Sequence, residues 1–214
     1  MPEVSIGFFP DVGGTHMLSR MPGETGAFLA MSGGRLKWAD CLHVGFLSHC
    51  VPAERMGELL AVLVAADHPA AVLDAFAVDP GPAPLAERRA AIDRLFVGDD
   101  ASVILARLAA EDGPDGDWAT ALAAEISAKS PTSVAIALRQ VRIGASLSFE
   151  TAMVTEFRIV THILTGSDFY EGVRSVLIDR DNAPVWRPAT LAEIDGRAIE
   201  AHFTTVPAEG DLTF

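Results

Sequence analysis

The chain has 214 residues, 50% of them apolar, and a formal net charge of −13 at pH 7. This is enough for one domain, or for a domain with a helical extension, and enough apolar side chain for a core. The acidic balance excludes a nucleic-acid surface, which needs clustered Lys and Arg against phosphates, and no apolar run reaches the length of a membrane span.

In chain order, residues 4–9 form a short apolar segment, extended or looped, because Pro10 biases Phe9 away from helix. Gly13-Gly14 allows a tight turn. Thr15 is placed to cap a short helix through Leu18, which Pro22-Gly23 ends. A second helix is predicted over Thr25 to Met31, stopped by Gly33-Gly34, and a third over Leu36 to Val44 with Gly45 at its C-terminus. Phe46 to Val51 reads as a strand, and residues 53–66 as a helix behind Pro52. Between Asp67 and Lys129 three or four amphipathic helices are predicted. They are divided by the Pro-Gly-Pro-Ala-Pro loop at 80–84, by Gly98-Asp99-Asp100 and by Gly113-Pro114-Asp115-Gly116, with Asp99 or Asp100 as an N-cap.

Ser130-Pro131 opens a helix to Ile143. Ser148 opens the longest one, to about Thr165, with Phe149, Met153, Val154, Phe157, Val160 and Ile163-Leu164 on one apolar face. Asp168 is expected to cap a helix over Phe169 to Ile178. Pro184 to Pro188 is an extended link, a last helix spans about Leu191 to Phe203, and the tail from Pro207 frays. The chain reads as mostly helical, in segments 1–66, 67–129 and 130–214.

Chemistry concentrates at the start. Glu3 and Asp11 flank an apolar turn that ends in Gly13-Gly14. A carboxylate in apolar surroundings is a tuned acid, base or nucleophile, and two in one cleft push their pKa values apart. The plainer readings are a mobile terminal residue for Glu3, a turn or cap residue for Asp11 and simple turn glycines. His16, His43, His49, His68, His162 and His202 have no metal spacing, so no metal site is expected. Glu150 and Glu156 are read as facing solvent, and Phe169 and Tyr170 as core. Cys41 and Cys50 stand in no metal or redox pattern and no secretory leader is visible, which points to a reducing compartment, the cytoplasm or an organelle matrix.

Met-Pro-Glu-x-x-Ile-Gly-Phe-Phe-Pro-Asp-Val-Gly-Gly-Thr, followed by Leu-Ser-Arg at 18–20, Met-Ser-Gly at 31–33, Ala-Asp at 39–40 and Gly-Phe-Leu-Ser-His at 45–49, resembles the crotonase (enoyl-CoA hydratase/isomerase) superfamily. Asp11, the helical stretch before Ser130-Pro131, and the run Asp168-Phe169-Tyr170-Glu171-Gly172-Val173-Arg174 with Trp186-Arg187-Pro188 are similar to its 3-hydroxyisobutyryl-CoA hydrolase branch. The resemblance implies an α/β crotonase-like fold, a spiral ββα superhelix. This chain would match its C-terminal portion and be mainly α, with most strands and the oxyanion N–H donors in an N-terminal portion. Residues 1–66 would then be the end of the core with the site segment, 67–129 a helical insert, and 130–214 a C-terminal helical region.

The resemblance further implies an acyl-CoA substrate and hydrolysis of its thioester, a step of valine breakdown. Glu3 would be nucleophile or general base, Asp11 would orient water or shuttle a proton, and Gly13 and Gly14 would line the substrate pocket. Coenzyme A would be part of the substrate, with no separate cofactor. Arg174 and Arg180 would reach a coenzyme A phosphate or lie on a solvated helix face. No nucleic acid and no membrane are expected as partners; homo-oligomerisation, or association with the N-terminal portion, is. Two alternatives stand beside hydrolysis: an enoyl-CoA hydratase or isomerase, and a non-catalytic helical remnant that associates with a partner through exposed apolar faces.

Overall fold

The computed structural model describes residues 2–214; Met1, which opens the sequence motif and the first sequence segment, lies outside the described residues. Among the described residues the secondary structure is helical, with no β-strand. A 3-10 turn over Glu3–Ile6 precedes α1 (Gly14–Leu18), α2 (Thr25–Ser32) and α3 (Trp38–His43). A second 3-10 turn, Ala53–Arg55, leads into α4 (Met56–Val64), then α5 (Pro69–Phe76), α6 (Pro84–Leu95), α7 (Ala101–Ala109) and α8 (Gly116–Ser127). The chain continues as α9 (Pro131–Gly144), α10 (Phe149–Ile163) and α11 (Asp168–Val173), which runs on as a π-helical turn over Arg174–Ile178. A 3-10 turn, Leu191–Glu193, and α12 (Gly196–Thr204) complete it. No helix among the described residues is long and apolar enough to cross a membrane.

Local chemistry sets several of the helix starts. The side chain of Asp100 accepts from the Ser102 and Val103 N–H groups, Ser130 from Ser133, Ser148 from Thr151 and Asp195 from Arg197. Each satisfies N–H groups that a first helical turn leaves unpaired. Proline at the first position of α5 and α9 loses no helical hydrogen bond.

The chain forms two compact units, one of residues up to Arg35 together with Ala90–Phe214, the other Leu36–Arg89, with the division inside α6. These limits differ from sequence segments 1–66, 67–129 and 130–214. In the larger unit α1 and α2 pack on α9, far along the chain, and α7 packs on α8 and α9. Its core includes the fully buried Met31, Phe96, Ile104, Leu108, Ile126, Ile136, Leu138 and Ile159.

In the smaller unit α4 packs on α5, with Leu59 and Phe76 buried and the Arg55 guanidinium 4.1 Å from the Phe76 ring centroid. The strand expected over Phe46 to Val51 is absent. The Phe46 and Leu47 N–H groups instead turn back to the Cys41 carbonyl at 2.9 and 3.1 Å, while the Cys50 carbonyl accepts from Val78 N–H and its thiol donates to the Trp38 carbonyl, so neither makes a strand ladder. A lone extended segment without a partner strand leaves its ladder unmade.

Other corrections lie in the larger unit. Residues 3–6 wind into a 3-10 turn at the start of the segment expected to be extended or looped. Gly13, not Thr15, is the N-cap of α1. The buried stripe of α10 is Ala152, Glu156, Ile159 and Ile163, while Phe149 and Leu164, placed on the apolar face, are half or nearly half exposed. Tyr170 is exposed rather than core. The tail is tied down: Arg158 Nε donates to Asp211 at 2.7 Å.

Asp168 lies inside the first turn of α11 and not at its cap. Its buried carboxylate accepts from Ser130 Oγ at 2.6 Å and from Arg187 N–H at 2.9 Å. It therefore joins the start of α9 to the link before α12. Asp168→Ala leaves both donors unpaired, and a loss of about 1–3 kcal/mol in urea unfolding is expected. An unchanged midpoint would show that water replaces the carboxylate.

Candidate functional site

The two carboxylates singled out in the sequence sit at the ends of one stiff connection. Glu3 begins the 3-10 turn, and its carbonyl accepts from Gly7 and, at 3.0 Å, from Phe8. Gly7 closes the turn at φ 70, and a Cβ there would stand 2.3 Å from the Asp168 carbonyl oxygen, so this turn requires glycine twice over. Phe9 follows, 1% exposed, in a cluster with Ile136, Ile159, Ile163, Ile199 and Phe203 from α9, α10 and α12. Glu3 is half-buried. Among the described residues its Oε2 is out of solvent and has no hydrogen-bond partner. A carboxylate oxygen in that condition keeps its full capacity to accept a proton or attack a carbon.

The connection ends in the loop Pro10 to Thr15. Asp11 is half-buried there, and its carbonyl accepts from Gly14 N–H at 2.9 Å. Val12 is 82% exposed at φ 56, and Gly13 follows at φ 85. Glycine suits that conformation; a β-branched valine does not, and such a residue carries strain of about 1–3 kcal/mol that its surroundings must hold.

Two buried polar side chains hold it. Glu156 accepts from Gly13 N–H at 2.9 Å through Oε2 and from Thr15 N–H at 2.8 Å through Oε1. Gln140 donates from Nε2 to the Pro10 carbonyl at 3.0 Å and to Thr15 Oγ1 at 2.7 Å.

Glu156, expected to face solvent, is 4% exposed. The sequence does hold a signal for it. Ala152, Glu156, Ile159 and Ile163 recur at helical spacing, so one carboxylate falls on an otherwise apolar stripe. Gln140 has no comparable signal. Asp11, Gly13 and Gly14 share one turn, and Glu3 reaches it through the Phe8-Phe9-Pro10 anchor. Two concavities described in the larger unit lie elsewhere. One of about 450 Å³ is bordered by Asp100, Arg139, Leu191 and Glu200, and one of about 210 Å³ by Ser133, His162, Asp168 and His202. None of the four residues selected from the sequence lines either.

The His162 and His202 rings lie 4.2 Å apart, and burial holds the His202 imidazole below its ordinary pKa. No group of three or more His, Cys, Asp or Glu fit for a metal ion occurs among the described residues.

Arg174 does not offer a free charge. Its guanidinium meets Glu171 at 2.8 Å and Asp179 and Asp181 at 2.7 Å each, which outnumber it in charge and disfavour a phosphate. The Arg174 bond to Glu171, with the Val185 N–H on Glu171 Oε1, brings the Glu171 carboxyl down to about 2 from 4.5. A carboxyl whose folded pKa is depressed lends stability above its unfolded value and loses it as pH falls through the folded one. The segment 171–185 is therefore expected to loosen progressively from about pH 5 to about pH 2. Amide exchange across 171–185 reads this, and Arg174→Met should remove most of the dependence; an equal dependence in that variant refutes the assignment.

The model of the enoyl-CoA hydratase/isomerase family matches residues 1–203. The chain is 38% identical to the mitochondrial 3-hydroxyisobutyryl-CoA hydrolase of Xenopus laevis, over 96% of this chain and 55% of that protein. It is 36% identical to the human mitochondrial 3-hydroxyisobutyryl-CoA hydrolase, over 100% and 57%. Among solved structures it is similar to a carnitinyl-CoA dehydratase from Mycobacterium thermoresistibile, with a TM-score of 0.89, 41% identity, and 100% of this chain and 60% of that one covered. It also matches an enoyl-CoA hydratase from Rhodobacter sphaeroides, with a TM-score of 0.83, 33% identity, and 100% and 61% covered. The chain thus spans somewhat more than half the length of the curated relatives it matches, and its helices are laid out as in the crotonase fold. With a family model matched over nearly its whole length and that fold reproduced, this chain belongs to the enoyl-CoA hydratase/isomerase family.

Proposed function

We propose that this chain carries the carboxylate side of an acyl-CoA thioester hydrolase site, similar to that of 3-hydroxyisobutyryl-CoA hydrolase, with a role in valine breakdown. The observation that carries the reading is Glu3 Oε2, out of solvent and without a hydrogen-bond partner among the described residues, joined through a core-anchored segment to Asp11 on a strained loop. The names of the relatives at 36–38% identity support the same substrate class. In this reading Glu3 takes a proton from the water that attacks the thioester carbon, or attacks that carbon itself. In either case the C–S bond breaks and the thiolate leaves and is protonated; where Glu3 attacks, the mixed anhydride so formed is then cleaved by water, which supplies the oxygen of the acid product and frees the carboxylate. Asp11 orients the water or passes the proton. Gly13 and Gly14 keep the loop backbone slim where the acyl group approaches.

The test is release of free thiol from 3-hydroxyisobutyryl-CoA. A second reading, hydration of an enoyl-CoA, draws on the dehydratase and hydratase among the similar structures. Hydration of crotonyl-CoA without thiol release decides for that reading and against hydrolysis.

A further inference from the structure

We infer that Glu156 is a positioning residue for the Asp11 carboxylate, holding the strained loop in the one shape that presents it; this rests on Asp11 acting in the proposed reaction. One buried carboxylate takes two backbone N–H groups of the loop, from Gly13 and Thr15. A carboxylate is costly to bury in an apolar stripe and persists there only with strong, charge-assisted partners. Capping a short helix does not require it, since a serine or aspartate at the cap position does so at the surface. Here that position is glycine, and the carboxylate is supplied from α10 instead.

Gln140 completes the grip. It holds the Pro10 carbonyl and the Thr15 hydroxyl, and among the described residues its own Oε1 is buried without a partner. The amide is kept for its donor arm. Together the two side chains fasten Pro10, Gly13 and Thr15. Asp11 and Val12 are left between the fixed points, with Val12 turned to solvent in the left-handed region. Relaxing Val12 would swing Asp11, and the clamp prevents that.

Glutamine at position 156 has one acceptor oxygen and an amide that clashes with the second N–H. Glu156→Gln is expected to lower kcat for thiol release by about 10–100-fold with KM little changed, the scale of a misplaced catalytic group. Glu156→Asp keeps two acceptor oxygens and should recover part of that loss. The deciding measurement is a double-mutant cycle with Asp11→Asn. Once Asp11 is removed, Glu156→Gln should cost no more than about 2–3-fold, since it acts through a group already lost.

Losses that multiply, or full kcat in Glu156→Gln beside a crippled Asp11→Asn, overturn the inference and leave the hydrolase reading standing. Full kcat in Asp11→Asn removes the role of Asp11 and the inference with it. Nuclear magnetic resonance on this chain gives a readout independent of turnover. Glu156→Gln should speed amide exchange at Gly13 and Thr15 and shift the Asp11 carboxyl resonance, with α9 and α12 unchanged. An unmoved Asp11 resonance overturns the inference even where no turnover is seen.

Discussion

Glu3→Gln is expected to lower kcat for thioester hydrolysis by about 10²–10⁴-fold, the range for removing a positioned general base, without lowering stability. The substitution keeps the size of the side chain and removes its basicity. The stability half of this expectation comes from the buried Oε2, which has no partner among the described residues. A carboxylate oxygen stripped of water and given no donor contributes nothing to folding that an amide would forfeit, and the neutral side chain avoids desolvating a charge. Activity and stability should therefore separate, as they do where a residue is kept for function at the expense of the fold. Thiol release and urea unfolding on the same preparation check both halves. Unchanged kcat removes Glu3 from the mechanism; a large loss of stability shows that it has a structural partner instead.

Phe9→Ala should be the most damaging core change in the site segment. Its ring is 1% exposed among Ile136, Ile159, Ile163, Ile199 and Phe203, with the Phe8 ring centroid 4.7 Å away. Truncation loses the transfer energy of the ring and leaves a cavity that three helices cannot close, about 3–5 kcal/mol. In a chain of this size that lowers the melting temperature by roughly 2–4 °C per kcal/mol. Because Phe9 lies between Glu3 and Asp11, kcat should fall with it, unlike a substitution at the far side of the core. Unfolding within about 1 kcal/mol of the parent would mean that the anchor is shared more widely than the packing indicates.

Helix positions were largely legible in the sequence where the determinant is local. Asp100, Ser130 and Ser148 cap α7, α9 and α10 as expected, Gly33 ends α2 in the left-handed conformation, and the four helices of 67–129 fall between the predicted breaks. Thr15 and Asp168 were misread for one reason. Both are residue types that cap helices, but tertiary partners claimed them, Glu156 and Gln140 for Thr15, Ser130 and Arg187 for Asp168. Phe46 to Val51 has the composition of a strand, yet a strand exists only beside another.

The family, the helical character and the candidate carboxylates Glu3 and Asp11 were readable from the chain alone, because motif residues and capping residues act at short range in sequence. Only the tertiary structure decided how that segment is held. The turn of α10 that faces inward, the burial of Glu156 and its bonds to residues more than a hundred positions away depend on which helices meet. A shift of one position around α10 separates a solvated glutamate from a clamp on the Asp11 loop.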